Sequence, residues 1–173
     1  MEQSAYRQQH LRKLDELIKN IRIAMLTTLE EDGSLRSRPM AAPQMAFQGE
    51  LWFFTLADAP NVVESQQHRQ VNVSFADAEH QDYVSISGTA SLVRDRQKME
   101  ELWSPWFSVW FPQGLKDPNL ALLKVDVEKA EYWDAPSSTM VHLYGVVKAA
   151  LTGKAPHAGE HAKLVVDERQ AGT

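Results

Sequence analysis

RSRPMAAPQMAFQGELWFFT, residues 36–55, decides the fold. Two apolar runs flank a turn at Gln48-Gly49, and two arginines stand two residues apart at the start. The pattern predicts a β-hairpin, with strands over residues 35–45 and 51–56. Pro39 and Pro43 cannot donate ladder hydrogen bonds, so the first strand belongs at an edge, a bulge or a sheet interruption. The second strand is apolar at Trp52, Phe53 and Phe54 in succession, which requires cover on both faces.

Before this stretch, IAMLTTL (23–29) is a short β-like run, and Asp32-Gly33 is a hairpin turn signal between it and the 35–45 strand. Leu11, Leu14, Ile18 and Ile21 recur at helical spacing, which predicts an amphipathic helix over residues 3–20. After it, Asp58-Ala59-Pro60 reads as a helix start with Asp58 as N-cap, running to about residue 69. VNVSF (71–75) alternates as a half-buried strand, DAEHQD (77–82) is a polar turn, and YVSISGTASLV (83–93) is a long strand with a bend or bulge at Gly88. Asp95 caps a short helix through residue 103. Trp106, Phe107, Trp110 and Phe111 follow helical spacing until Pro112 stops them. Residues 120–127 and 130–133 are strand-like. Met140, Leu143, Tyr144, Val147 and Leu151 form a helical stripe, and the end from Thr152 is expected to be loose. The expected fold is mainly β: a six-stranded antiparallel split barrel over about residues 21–134 with flanking helices, one domain in all.

Composition narrows the function. The 173 residues are 43% hydrophobic and 24% charged, ordinary for a globular protein. A net charge of −5 gives no electrostatic footing for nucleic acid. There is no cysteine, which removes disulfides, thiolate metal sites and thiol nucleophiles together. No apolar run approaches the roughly 20 residues of a membrane span, and MEQSAYRQQH does not read as a signal peptide. The expectation is a cytoplasmic protein without membrane or nucleic-acid partners and without a bound metal. His157 and His161 stand four apart but have no third ligand at fixed spacing.

Arg36, Arg38 and Met40 share one face of a strand. Guanidiniums among apolar neighbours need water or an anion, so this face is either solvated with ordinary ion pairs or touches an anionic, flat ligand. Thr55 ends its strand with a hydroxyl just before a helix N-terminus, a place that suits a phosphate or a ring carbonyl, or simple capping. The aromatic block over residues 103–111 is either packing or a lid over a site.

In order and spacing, DGSLRSRPM, ELWFFT, VNVSF, DYVSISGTASLV and AEYWD resemble the general stress protein 26 branch of the pyridoxamine 5′-phosphate oxidase-like family. WSPWFSVWFPQGLKDPNLALLKV resembles the same branch. The resemblance implies a flavin-binding split barrel with FMN at a homodimer interface. It implies that Arg38, Met40 and Ala41 border the ring and ribityl chain, that Arg36 and Pro39 of the same strand also meet the cofactor, with Arg36, His68 or Arg69 as substitutes for the phosphate grip, and that Phe54 and Thr55 make ring and phosphate contacts. Tyr83 falls where related oxidases place a glutamine that touches the flavin. Trp133 aligns with a region that faces the cofactor from the partner subunit.

The resemblance also marks departures. Asn61 stands where relatives place a lysine that grips the phosphate, and asparagine carries no charge. FAD is therefore the alternative to FMN. No arginine follows Trp133-Asp134 until Arg169, so pyridoxal phosphate synthesis is not expected. The functional expectation is a flavin-dependent oxidoreductase with a small-molecule redox partner. The alternatives are a flavin-storing stress protein with little turnover, or a haem or deazaflavin binder on the same barrel, with His68, His80 and His142 as candidate axial ligands.

Overall fold

A computed structural model describes residues 2–134 and 160–165, with side chains described from residue 8 to residue 134. The chain runs α1 (Glu2–Ile18), β1 (Ile23–Leu29), β2 (Leu35–Ala41), β3 (Glu50–Leu56), α2 (Pro60–Gln67), β4 (Gln70–Asp77), β5 (Asp82–Val93), α3 (Arg96–Leu102), β6 (Leu120–Asp134) and β7 (Glu160–Val165). Two short 3₁₀ segments, Pro105–Val109 and Gly114–Lys116, lie between α3 and β6. All strand pairings are antiparallel, in the order β2-β1-β4-β5-β6-β3. These six strands are the expected six-stranded antiparallel split barrel with flanking helices, and β7 adds a seventh strand on β6.

The Asp32-Gly33 turn forms as expected. Gly33 takes a φ of +84° and joins β1 to β2 in a seven-residue register from Leu29↔Leu35 to Ile23↔Ala41. Gly88 also marks a bulge: β5 and β6 pair Ser87 with Lys129 and Gly88 with Val127, so Glu128 is extra. A Cβ at Gly88 would lie 2.2 Å from the Asp126 carbonyl oxygen.

The hairpin expected over residues 36–55 does not form. Among the described residues β2 pairs only with β1 and β3 only with β6, which puts them at opposite ends of the sheet order. Residues 42–49 cross between these edges, and their polar groups are bound elsewhere. The Ala42 N–H donates to the Arg22 carbonyl at 2.8 Å, and the Phe47 N–H donates to the Asp15 carboxylate at 2.7 Å. Phe47 itself is buried in the core. The connection is thus tied to the α1–β1 side, and Pro39 and Pro43 cannot donate to a β2–β3 ladder. β2 is the edge strand its prolines demand.

Three smaller expectations change. Asp58 does not cap α2; Ala59 occupies the N-cap without a side-chain bond, because Asp58 accepts from the Asn119 amide. The strand-like stretches 120–127 and 130–133 are one fifteen-residue strand. The end of the chain is not loose throughout: β7 pairs with the second half of β6, from Lys129↔Val165 to Asp134↔Glu160. The helical stripe over residues 138–151 and His157 fall outside the described residues.

Two cores result. The main one fills the barrel with Leu26, Phe53, Val73, Ile86, Leu123, Val125 and Tyr132, closed by Leu14, Leu17 and Ile18 of α1. The second lies on the other face of β3 and β6, where Phe54 and Leu122 meet Met99, Leu102 and Phe107. Phe53 and Phe54 thus bury on opposite faces, as a strand apolar on both sides requires. No helix among the described residues is long and apolar enough to cross a membrane.

Gly88→Ala is expected to lower stability by about 2 kcal/mol, because the neighbour to be displaced is backbone. Gly33→Ala, with open space around it, should cost about 1 kcal/mol from its left-handed φ alone. Urea midpoints of the two variants check the order; an equal shift would place the bulge contact elsewhere.

Candidate functional site

The edges of β2 and β3 approach without pairing and leave a cleft of about 240 Å³. Its lining is Pro39, Met40 and Ala41 from β2, Phe54, Thr55 and Leu56 from β3, Ile23 of β1, Ala59 before α2, and Trp110 and Phe111. The pleat explains the composition. Along β2, Pro39 and Ala41 pair with the outward-facing Met25 and Ile23, while Met40 pairs with buried Ala24. The cleft therefore opens on the outer face of the sheet, with Met40 reaching it from the barrel side.

Aromatic packing fixes one wall. Phe54 meets Trp103 edge-on at a centroid distance of 5.2 Å, Phe107 at 4.8 Å and Phe111 at 6.2 Å. Trp106 and Trp110 form a T-shaped pair at 4.7 Å, and Arg22 lies 5.4 Å over the Trp106 ring. The block divides between the two roles the sequence left open. Phe107 is core, whereas Trp110, 46% exposed, stands at the cleft with Phe111.

Of the residues singled out from sequence, Pro39, Met40, Ala41, Phe54 and Thr55 come together in this cleft. Thr55 is buried and donates its hydroxyl to the Leu56 carbonyl at 3.3 Å. Asn61 is buried on α2 behind the cleft, its amide 4.0 Å from the sulfur of Met40. Arg36 is largely exposed and pairs with Glu30 at 3.2 Å. Tyr83 and Trp133 face each other across β5 and β6 and are 43% and 42% exposed. Neither is among the residues that line the cleft of its own chain. His68 follows α2 and exposed His80 pairs with Asp77 at 2.8 Å; neither lines the cleft, and His142 lies outside the described residues.

Arg38 lies behind the cleft in an ion pair with Glu64 of α2. Its Nη2 donates to Oε1 at 3.1 Å, and its Nη1 stands 2.7 Å from Oε2 without hydrogen-bond alignment. The two side chains are only 16% and 12% exposed. Thr28, fully buried on β1, donates its hydroxyl to the same carboxylate. Burial raises the Glu64 pKa, but the hydrogen bonds from Arg38 and Thr28 and the charges of Arg38 and Arg36 outweigh it, so the carboxyl titrates below its ordinary 4.5. Glu64 carries no signal in the sequence; it is a polar residue on a short helix whose partners come from β1 and β2. Ile23, Leu56 and Ala59 were also missed, being small or apolar residues that only the seam gathers.

The pyridoxamine 5′-phosphate oxidase-like family description matches residues 9–157. The chain belongs to that family. Among curated proteins it is 26% identical over 156 residues to protein bli-3 of Neurospora crassa, covering 84% of this chain and 75% of that one. Among solved structures, a protein assigned to general stress protein 26 from Jannaschia sp. CCS1 superposes with a TM-score of 0.73 at 25% identity, over 95% of this chain and 99% of the other. The general stress FMN/FAD binding protein of Xanthomonas citri gives a TM-score of 0.63 at 35% identity, over 74% and 90%.

Arg38→Ala strands the Glu64 carboxylate and should cost about 2–3 kcal/mol at pH 7. Because the folded pKa of Glu64 is depressed, the pair contributes in full above about pH 4.5 and is lost as pH falls through the folded value. The deficit of the variant should therefore shrink toward pH 4, as seen by urea unfolding at both pH values. A deficit that grows on acidification would contradict the pairing.

Proposed function

We propose that the protein binds a flavin, FMN or FAD, in the cleft between β2 and β3, and uses it as an oxidoreductase toward a small-molecule redox partner. The observation that carries this is the convergence of Pro39, Met40, Ala41, Phe54 and Thr55 on one cleft. They are the residues that the family resemblance implies for the flavin ring and its chain. The 35% identical neighbour named for FMN/FAD binding supports it.

The residues present fit such a group. Flat, apolar walls suit a planar ring. The outer edge of β2 has no strand partner among the described residues, so its backbone groups are available to the ring's polar edge. Thr55 would hold the ribityl and phosphate end, with Asn61 beneath Met40 and two guanidiniums nearby, Arg38 behind the cleft and Arg22 over Trp106. Bound flavin would supply two-electron redox chemistry, while the chain supplies binding, orientation and exclusion of water. No lining residue titrates in the neutral range, which accords with electron transfer that needs no protein acid or base. The same fact favours a second reading, a flavin carrier with little turnover.

The cleft of one chain is small, about 240 Å³ against roughly 300–1,000 Å³ for pockets that enclose a drug-sized ligand. A homodimer completes it in this proposal. Ile23 and Met25 expose apolar surface on the outer face of β1 beside the cleft, Tyr83 exposes more further along the sheet, and Trp133 would meet the flavin of the partner chain.

Purified protein should show the paired visible bands of oxidised flavin, or acquire them on titration with FMN or FAD; a protein that takes up neither sinks the proposal. Ala41→Phe, which fills the cleft, should weaken flavin at least about tenfold with little loss of stability. Reoxidation of bound reduced flavin no faster than that of free FMN would favour the carrier. Sedimentation should give two chains, and Met25→Glu should shift the protein toward one chain while weakening flavin; a monomeric wild type with full affinity would remove the partner from the site.

A further inference from the structure

We propose that Trp110, Trp106 and Arg22 form a subsite beside the cleft for an aromatic anion, so that the redox partner of the protein is an aromatic carboxylate, sulfonate or phosphate. The proposal rests on the flavin reading above and deepens it, by naming the chemical class of the partner and the residues that select it.

Trp110 is part of the cleft wall, and Arg22 is tied to the same end of the cleft by its backbone. Arg22 directly precedes β1. Its carbonyl accepts from the Ala42 N–H at 2.8 Å, one step beyond the pair Ile23↔Ala41, and both Ile23 and Ala41 line the cleft. The Arg22 guanidinium lies 5.4 Å over the Trp106 ring, and Trp106 packs edge-on against Trp110 at 4.7 Å. Two ring contacts thus lead from the cleft wall to a guanidinium. Both rings are held from below. Trp106 rests on buried Phe107 at 5.5 Å, and the Trp110 N–H donates to the Phe107 carbonyl at 3.0 Å.

Each part of this corner selects for one feature of a ligand. A fixed indole that keeps nearly half of its surface open, at the edge of an apolar cleft, gains most from a second ring laid against it. The lining side chains of the cleft are uncharged, so a charged ligand is recognised beside the lining and not within it. Arg36, Arg38 and Arg96 each have a carboxylate oxygen within 3.2 Å. Exposed Arg22 has no carboxylate partner among the described residues and lies over a ring instead. A cation–π contact consumes none of the guanidinium N–H donors, which stay available to an oxyanion. The chain as a whole carries −5, so an anion is drawn to this region by a local cation and not by the overall field.

The test is equilibrium dialysis of the full chain against naphthalene-2-sulfonate and against 2-naphthalenemethanol, an anionic and a neutral probe with the same ring. At low salt, Arg22→Gln should weaken the sulfonate about threefold or more and leave the alcohol within about twofold. Arg22→Lys should recover part of the loss. Trp110→Leu should weaken both probes by at least about threefold and keep their ratio. A sulfonate-to-alcohol ratio unchanged in Arg22→Gln overturns the proposal, because a merely structural loss falls on both probes alike. Probe affinities unchanged in Trp110→Leu, or no binding of either probe by the wild type, overturn it as well. Titration with FMN and riboflavin separates the other source of an anion. If Arg22→Gln lowers the FMN-to-riboflavin affinity ratio and leaves the probe ratio unchanged, Arg22 serves the flavin's own phosphate, and the proposal falls while the flavin reading stands. A protein that takes up no flavin but discriminates the probes as expected overturns the flavin reading and keeps the aromatic-anion site.

Discussion

Two sheet edges that face each other without hydrogen bonds govern this structure. Among the described residues β2 is paired on one side only, and so is β3. A strand edge left open in this way normally invites another strand. Here Pro39 removes a donor from β2, and residues 42–49 are bound to Arg22 and Asp15 instead of continuing the ladder. The barrel stays split, and the split is the cleft.

The long strand β6 makes that arrangement stable. It pairs with β5 along nearly its whole length and divides its other edge between β3 and β7. The bulge at Gly88 bends the β5–β6 ladder, where a close backbone approach leaves no room for a Cβ. β3 is consequently fixed by its register with β6 and not by β2. Phe53 then fills the barrel while Phe54 anchors the aromatic layer outside it. The wall of the cleft is rigid because it is also the wall of a second core.

Electrostatics follows from the same geometry. The inward side of β2 carries Arg38 toward α2, and α2 packs against β1, so Glu64 and Thr28 reach the guanidinium together. A partly buried arginine needs a partner, and this one is met inside the protein. The outer side of the same strand, with Leu35, Ser37, Pro39 and Ala41, carries no charge. One pleat thus sorts charge from the wall of the cleft.

Much of this was legible in the sequence, for local reasons. Asp32-Gly33 specified the first turn, the prolines put β2 at an edge, Gly88 marked the bulge, and the doubly apolar Trp52-Phe53-Phe54 run required cover on both faces. Each of these depends on backbone conformation or alternation, which neighbouring residues set. The family resemblance led to Pro39, Met40, Ala41, Phe54 and Thr55, and the seam brings them together. The partner of β3 was not legible: adjacent strands joined by Gln48-Gly49 have the pattern of a hairpin, yet the registers of β2 with β1 and of β3 with β6 separate them. Glu64 and the pairing of β7 with β6 were equally hidden. Their partners lie 26 residues or more away in the chain, and only the closed tertiary structure brings them within bonding distance.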